Sequence, residues 1–236
     1  MAEIVRAHPD RFVGMGTLPL QDTGKAVQEL ERVVKELGFH AVEISSNVTG
    51  MDFDDPRFEP FWAKVQELDV LVFVHPVGFS DAARLKDYYL NNVIGQPLEE
   101  AVFVSRLIFG GVLERYPNLK IVVGHGGGYL PYYPGRMDHA YKVRPECQQH
   151  ISRPPSEYLK KLYFDSIVYQ EPSLENLVRF AGSDHVLLGT DYPFDMGEED
   201  PVGFISKLKS VPPAGREKIL GGNAVRLLKV KADGTK

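Results

Sequence analysis

The chain has 236 residues, 43% of them hydrophobic, with a formal charge of −5 and a pI near 5.8. That length suits one sizeable core, and no Lys/Arg-rich block marks a nucleic-acid or anionic-membrane surface, so a small molecule is the expected partner. Cys147, the one cysteine, excludes an intrachain disulfide framework and a Cys-rich zinc site. MAEIVRAHPDRF lacks the cationic and apolar regions of a secretory signal, and no stretch approaches the roughly 20 apolar residues of a bilayer crossing, so a soluble cytoplasmic chain is expected.

In chain order, RFVGMGTLPL reads as a strand and exit loop, and KAVQELERVVKEL as a helix stopped by Gly38. HAVEISS is a second strand, FEPFWAKVQELD a second amphipathic helix, and VLVFV a third strand, apolar on both faces as in parallel sheets covered by helices. PLEEAVFVSRLIFGGVLERYP follows as one long helix between Pro97 and Pro117. KIVVG, LYFDSIV and HVLLGT are the remaining strands, SLENLVRFAG the helix between the last two, and residues 129–155 are partly loop. Two further helices, in DPVGFISKLK and REKILGGNAVRLLK, precede a polar tail over 229–236. Six βα units without linker or repeat predict a single domain over 1–236. Such alternation fits either a doubly wound sheet or a TIM barrel. GHGGG comes late in the chain and lacks the G-x-G-x-x-G spacing of the first.

Barrel enzymes place their chemistry where strands emerge at the C-terminal rim. VLVFV ends in His75-Pro76, KIVVG in His125 and three glycines, and HVLLGT in Asp191-Tyr192-Pro193. A turn or cap explains any one of these; convergent His, His and Asp match ligation of zinc or a similar ion. Arg136 lies one short segment past His125, where it serves either a substrate carboxylate or a surface ion pair. Asp165 ends a strand on the same rim and could orient a histidine. His40 and His185 open their strands at the opposite rim; with His8, His139 and His150 they are expected to be structural or exposed, His139 being nearest to Arg136.

PDRFVGMGTLPLQD, FVHPVG, VGHGGGYLPYYPGRMDH, LYFDSIV and LLGTDYPF, in this order, resemble the amidohydrolase-related family of metal-dependent decarboxylases. The resemblance runs from about Ile4 to Leu228. It implies a TIM-barrel-like (β/α)8 fold of the metal-dependent hydrolase superfamily, with a divalent metal, usually zinc, held by an H-x-H pair, a later His and an Asp. His75 and Asp191 match the latter two, His125 the histidine that handles the proton, and Arg136 a substrate-binding arginine. It implies decarboxylation of an unsaturated or aromatic carboxylic acid; the same scaffold also hydrolyses lactones or hydrates double bonds, and a rival from another class is an inactive remnant with an interaction role. No H-x-H occurs in the chain, whose start matches the family's second helix, so the first two βα units are expected to be absent and zinc binding weak or absent. A homo-oligomer is a further expectation. A six-strand sheet cannot close like an eight-strand one, which would leave Phe12, Val13 and Val186 to Leu188 as vulnerable edge surfaces.

Overall fold

Alternation in the short apolar strands builds two packed layers around one parallel sheet. The computed structural model describes residues 1–230; of the expected tail, 231–236 lie outside the described residues. The elements are α1 (Ala2–Ala7), β1 (Met15–Thr17), α2 (Thr23–Lys35), β2 (Ala41–Ile44), β3 (Asn47–Val48), β4 (Met51–Asp52), α3 (Glu59–Leu68), β5 (Leu71–Val74), α4 (Gln96–Phe109) and α5 (Val112–Arg115). Then come β6 (Lys120–Val123), α6 (Pro134–Val143), α7 (Pro155–Leu159), β7 (Tyr163–Asp165), α8 (Glu171–Ala181), β8 (Val186–Leu187), α9 (Pro201–Ser206), α10 (Pro213–Glu217) and α11 (Asn223–Leu227). Strands β3 and β4 form a small antiparallel hairpin that the sequence reading did not anticipate.

The six strands of the main sheet are all parallel and ordered β1-β2-β5-β6-β7-β8, each beside its neighbour in the chain. A doubly wound sheet reverses that order midway; uninterrupted order is the winding of a barrel, and the fold is TIM-barrel-like. Alternate residues Val42, Val72, Ile121 and Phe164 face outward into the main core, under helices such as α2, whose Ala26, Leu30 and Val33 are buried at helical spacing. Ala41, Leu71, Val122 and Leu187 face inward and meet Leu227 in a second apolar cluster. This double burial is why the strands read as continuous apolar runs. No helix among the described residues is long and apolar enough to cross a membrane.

Two expectations need correction. The helix predicted through LIFGGVLER breaks into α4 and α5 at Gly110-Gly111; Gly111 adopts φ +74°, and a Cβ there would sit 2.6 Å from the His150 carbonyl. At the sheet's edges, Phe12 and Val13 are exposed, but Val186 and Leu187 are buried and Leu188 is half-buried. The C-terminal segment covers that edge. The Leu188 N–H donates to the Ile219 carbonyl at 2.9 Å, and the Asn223 amide donates to the carbonyls of Ser183 (2.7 Å), in the turn before β8, and Val186 (2.8 Å), within the strand itself.

Candidate active site

His75 follows β5 directly, its N–H donating to the Ile44 carbonyl at 3.0 Å; His125 follows β6 after Gly124, and Asp191 lies just beyond β8. All three therefore stand where strands leave the sheet. The His75 Nε2 is 3.3 Å from Asp191 Oδ1, the His125 Nε2 is 3.9 Å from Asp191 Oδ2, and one donor atom from each residue falls within 4.8 Å of the others. His125 (φ +44°) and Asp191 (φ +55°) both occupy left-handed backbone that side chains other than glycine adopt at a cost, and such strain gathers at functional sites. Phe194 stacks on His75 with ring centroids 5.7 Å apart.

Behind the imidazoles lies negative charge. Glu100 Oε1 is 2.7 Å from His125 Nδ1, and the Glu100 side chain is fully buried in α4. Asp165, also buried, accepts from the backbone N–H of Gly126 (2.9 Å) and Ile167 (3.1 Å), so it shapes the glycine loop and leaves the His125 ring to Glu100. Burial penalises charge on all of these groups. It raises the Glu100 carboxyl, which the hydrogen bond and charge of His125 pull back only in part. For His125 burial acts downward, but Glu100, Asp165 and Asp191 together outweigh it and raise the imidazole. Both shifts mean that the pair keeps its protons to higher pH than the separated groups would. Asp165 is raised by burial, against the pull of His125 and the backbone donors.

A cavity of about 320 Å³ opens beside the cluster, walled by His125, Asp191, Tyr132, Tyr169, Val93 and Ile167. A second, of about 560 Å³, occupies the inner face of the sheet between His75, Asp191, Glu43 and Phe73, with Ala224 and Leu228 as its floor. Another, of about 800 Å³ around Asp54, Arg106 and Arg115, contains none of the three converging residues. Arg136 sits at the exposed first turn of α6 and does not line the 320 Å³ cavity. His139, His8 and His150 are exposed; His185 lies parallel to Tyr163 at 4.6 Å with Nδ1 2.9 Å from the Leu162 carbonyl, a structural fixture. Glu100 was not read as a site residue. Its signal is a carboxylate one helical turn before Val104 and two before Leu107, on the buried stripe of α4.

The family model described as "Amidohydrolase" matches residues 1–230. The chain is 40% identical over 229 residues to a 2-amino-3-carboxymuconate-6-semialdehyde decarboxylase of Dictyostelium discoideum, covering 97% of itself and 64% of that protein. It is 32% identical over 243 residues to a gamma-resorcylate decarboxylase of a Polaromonas species, covering 98% and 74%. Among solved structures, the 5-carboxyvanillate decarboxylase of Sphingomonas paucimobilis superposes with a TM-score of 0.91 at 29% identity, over 98% of this chain and 70% of that one. A Polaromonas dihydroxybenzoic acid decarboxylase with bound manganese and the inhibitor 2-nitroresorcinol gives 0.87 at 31%, over 98% and 73%. The chain thus spans 64–74% of the length of these relatives, and it belongs to the amidohydrolase family.

Proposed function

We propose that this site is that of a metal-dependent decarboxylase acting on an unsaturated or aromatic carboxylic acid. One observation carries the reading: two imidazoles and a carboxylate, from three separate strand ends, converge beside a cavity with tyrosine walls. Donors bound to one zinc or manganese ion at about 2.0–2.2 Å can lie no more than about 4.4 Å apart. The 3.3 Å separation of His75 Nε2 and Asp191 Oδ1 meets that limit, and the surrounding Glu100 and Asp165 favour a cation. His75 and Asp191 are two donors, one fewer than the three usual for catalytic zinc, because His125 is given to proton transfer. Zinc and manganese both suit imidazole and carboxylate donors.

When bound, a divalent ion would supply Lewis-acid polarisation of the acid's oxygens. His75 and Asp191 would hold it. His125, kept protonated by the carboxylates around it, transfers a proton from Nε2 to the substrate carbon that bears the carboxylate, and that carbon then releases CO2. The 320 Å³ cavity admits a small planar acid and little more. Binding of the substrate carboxylate by Arg136 has less support, because that side chain stands outside the cavity lining. Metal analysis after dialysis, with CO2 release from a panel of hydroxybenzoic and muconic-type acids, tests the reading. A retained ion with turnover of at least one acid is expected; neither ion nor turnover would defeat it.

A further inference from the structure

The Glu100 carboxyl has an unusual place. It is fully buried, it shares the inward stripe of α4 with Val104 and Leu107, and its one side-chain partner is the His125 ring at 2.7 Å. Its second oxygen, Oε2, is buried with no hydrogen-bond partner among the described residues. A carboxylate so poorly compensated lowers stability relative to a well-packed apolar side chain of similar volume. Packing therefore does not explain it. The chain also makes room for it: Gly124 immediately precedes His125, and a Cβ at that position would stand 2.7 Å from Glu100 Oε1. Any larger residue would push the carboxylate off the ring. The neighbouring Glu99 has a different task, binding Ser46 Oγ, Asn47 Nδ2 and the Ser80 N–H and Oγ at 2.8–3.0 Å, and so tying together the loops after β2 and β5.

We infer that Glu100 is a positioning residue that holds the His125 ring by Nδ1–H, so that Nε2 faces the cavity, carrying the proton in the cationic ring and left bare once that proton is given up. In the neutral ring the opposite tautomer would leave Nδ1 without hydrogen against a carboxylate and keep on Nε2 the proton that has to be transferred. Hydrogen bonding to the second imidazole nitrogen sets which nitrogen works, and losing such a partner typically costs about 10–100-fold in function. The inference rests on the role given to His125 above, and its test separates the two.

The full chain, labelled with 15N-histidine, is compared with Glu100→Gln, whose amide oxygen still accepts from Nδ1–H, and Glu100→Leu, which accepts nothing. Long-range 1H–15N correlations of the neutral imidazole should show hydrogen on Nδ1 in the parent and in Glu100→Gln, and a loss of that preference in Glu100→Leu. With added Mn2+ and the same acid panel, kcat should fall roughly 10–100-fold in Glu100→Leu with KM within about 3-fold, and Glu100→Gln should recover most of it. Glu100→Leu should also melt no lower than the parent, whereas a merely structural Glu100 would make it less stable. Hydrogen on Nε2 in the parent, or equal tautomers in all three proteins, would overturn the inference. If no protein turns over any acid, the decarboxylase reading falls and the tautomer measurement alone decides the role of Glu100.

Discussion

Where the strands leave the sheet, the chain gathers His75, His125, Asp191, Glu100 and Asp165 with partly unsatisfied charge and left-handed backbone at two of them; where the strands enter, it gathers leucine. At that lower end Leu227 meets Ala41 and Leu71, the first residues of β2 and β5, in a cluster that continues along the inner face to Val122 and Leu187, and Lys229 ties the end of the described chain to Asp69 beside β5 at 2.9 Å. The upper end spends stability on charges that an apolar core would not tolerate, and the lower end supplies it through apolar contact. The proposed site and the inner apolar cluster are thus formed by different residues, so activity and stability should respond separately to substitution.

The largest effect is expected above. His125→Ala should reduce turnover by about 10²–10⁴-fold, measured as CO2 release at saturating acid. It also strips the buried Glu100 of its one side-chain partner, so any fall in thermal midpoint should be recovered in His125→Ala/Glu100→Leu, and a midpoint that stayed low there would break the division between the two ends. Asp191→Ala should remove metal retention altogether, read by metal analysis after dialysis, since of the two proposed ligands only His75 would remain.

Below, Leu227→Ala should lower unfolding free energy by about 2–5 kcal/mol in urea titrations, because it opens a cavity in the inner cluster. Its metal retention should match the parent's. Asn223→Ala strips the two carbonyls at the covered edge of their donor and should cost about 1–3 kcal/mol, with faster hydrogen exchange in β8 as its signature.

The smallest effect sharpens the comparison by pH. Burial raises the Asp69 carboxyl, but hydrogen bonds and charges from Lys120 and Lys229 outweigh it and hold the group below its ordinary value of 3.8. A lowered carboxylate stabilises the fold above the unfolded pKa and loses that contribution as pH falls through the folded one. Asp69 is half exposed, so the contribution should stay below about 1 kcal/mol. Urea midpoints of the parent and Asp69→Asn should differ slightly at pH 7 and converge below about pH 4. A difference that grew on acidification would contradict this sign.

His75, His125 and Asp191 were legible because each ends an apolar run, and a strand's exit point is fixed by that run whatever the loops do. The six strands and their parallel pairing were legible for the same reason, but not their uninterrupted order, since βα alternation fits a doubly wound sheet as well. Glu100 was not, because Glu99-Glu100 near a helix start reads as a solvated first turn until the opposing β6 loop is known to press on it. Helix α6, in a stretch rich in proline and histidine, was hidden by its composition: its one fully buried side chain is Met137. Coverage of the β8 edge by Ile219, Asn223 and Leu227 depends on contacts between distant segments, which periodicity does not encode.

The seating of Leu227 has a bearing on synthesis. Its partners Ala41 and Leu71 leave the ribosome well over a hundred residues before it does, so the inner face of the growing sheet stays wet and sticky through most of translation. The outer layer, built from neighbours in the chain, can assemble as it emerges. The interior has to wait for α11, the last helix among the described residues, and until it arrives the nascent chain presents an apolar surface of the kind that chaperones hold.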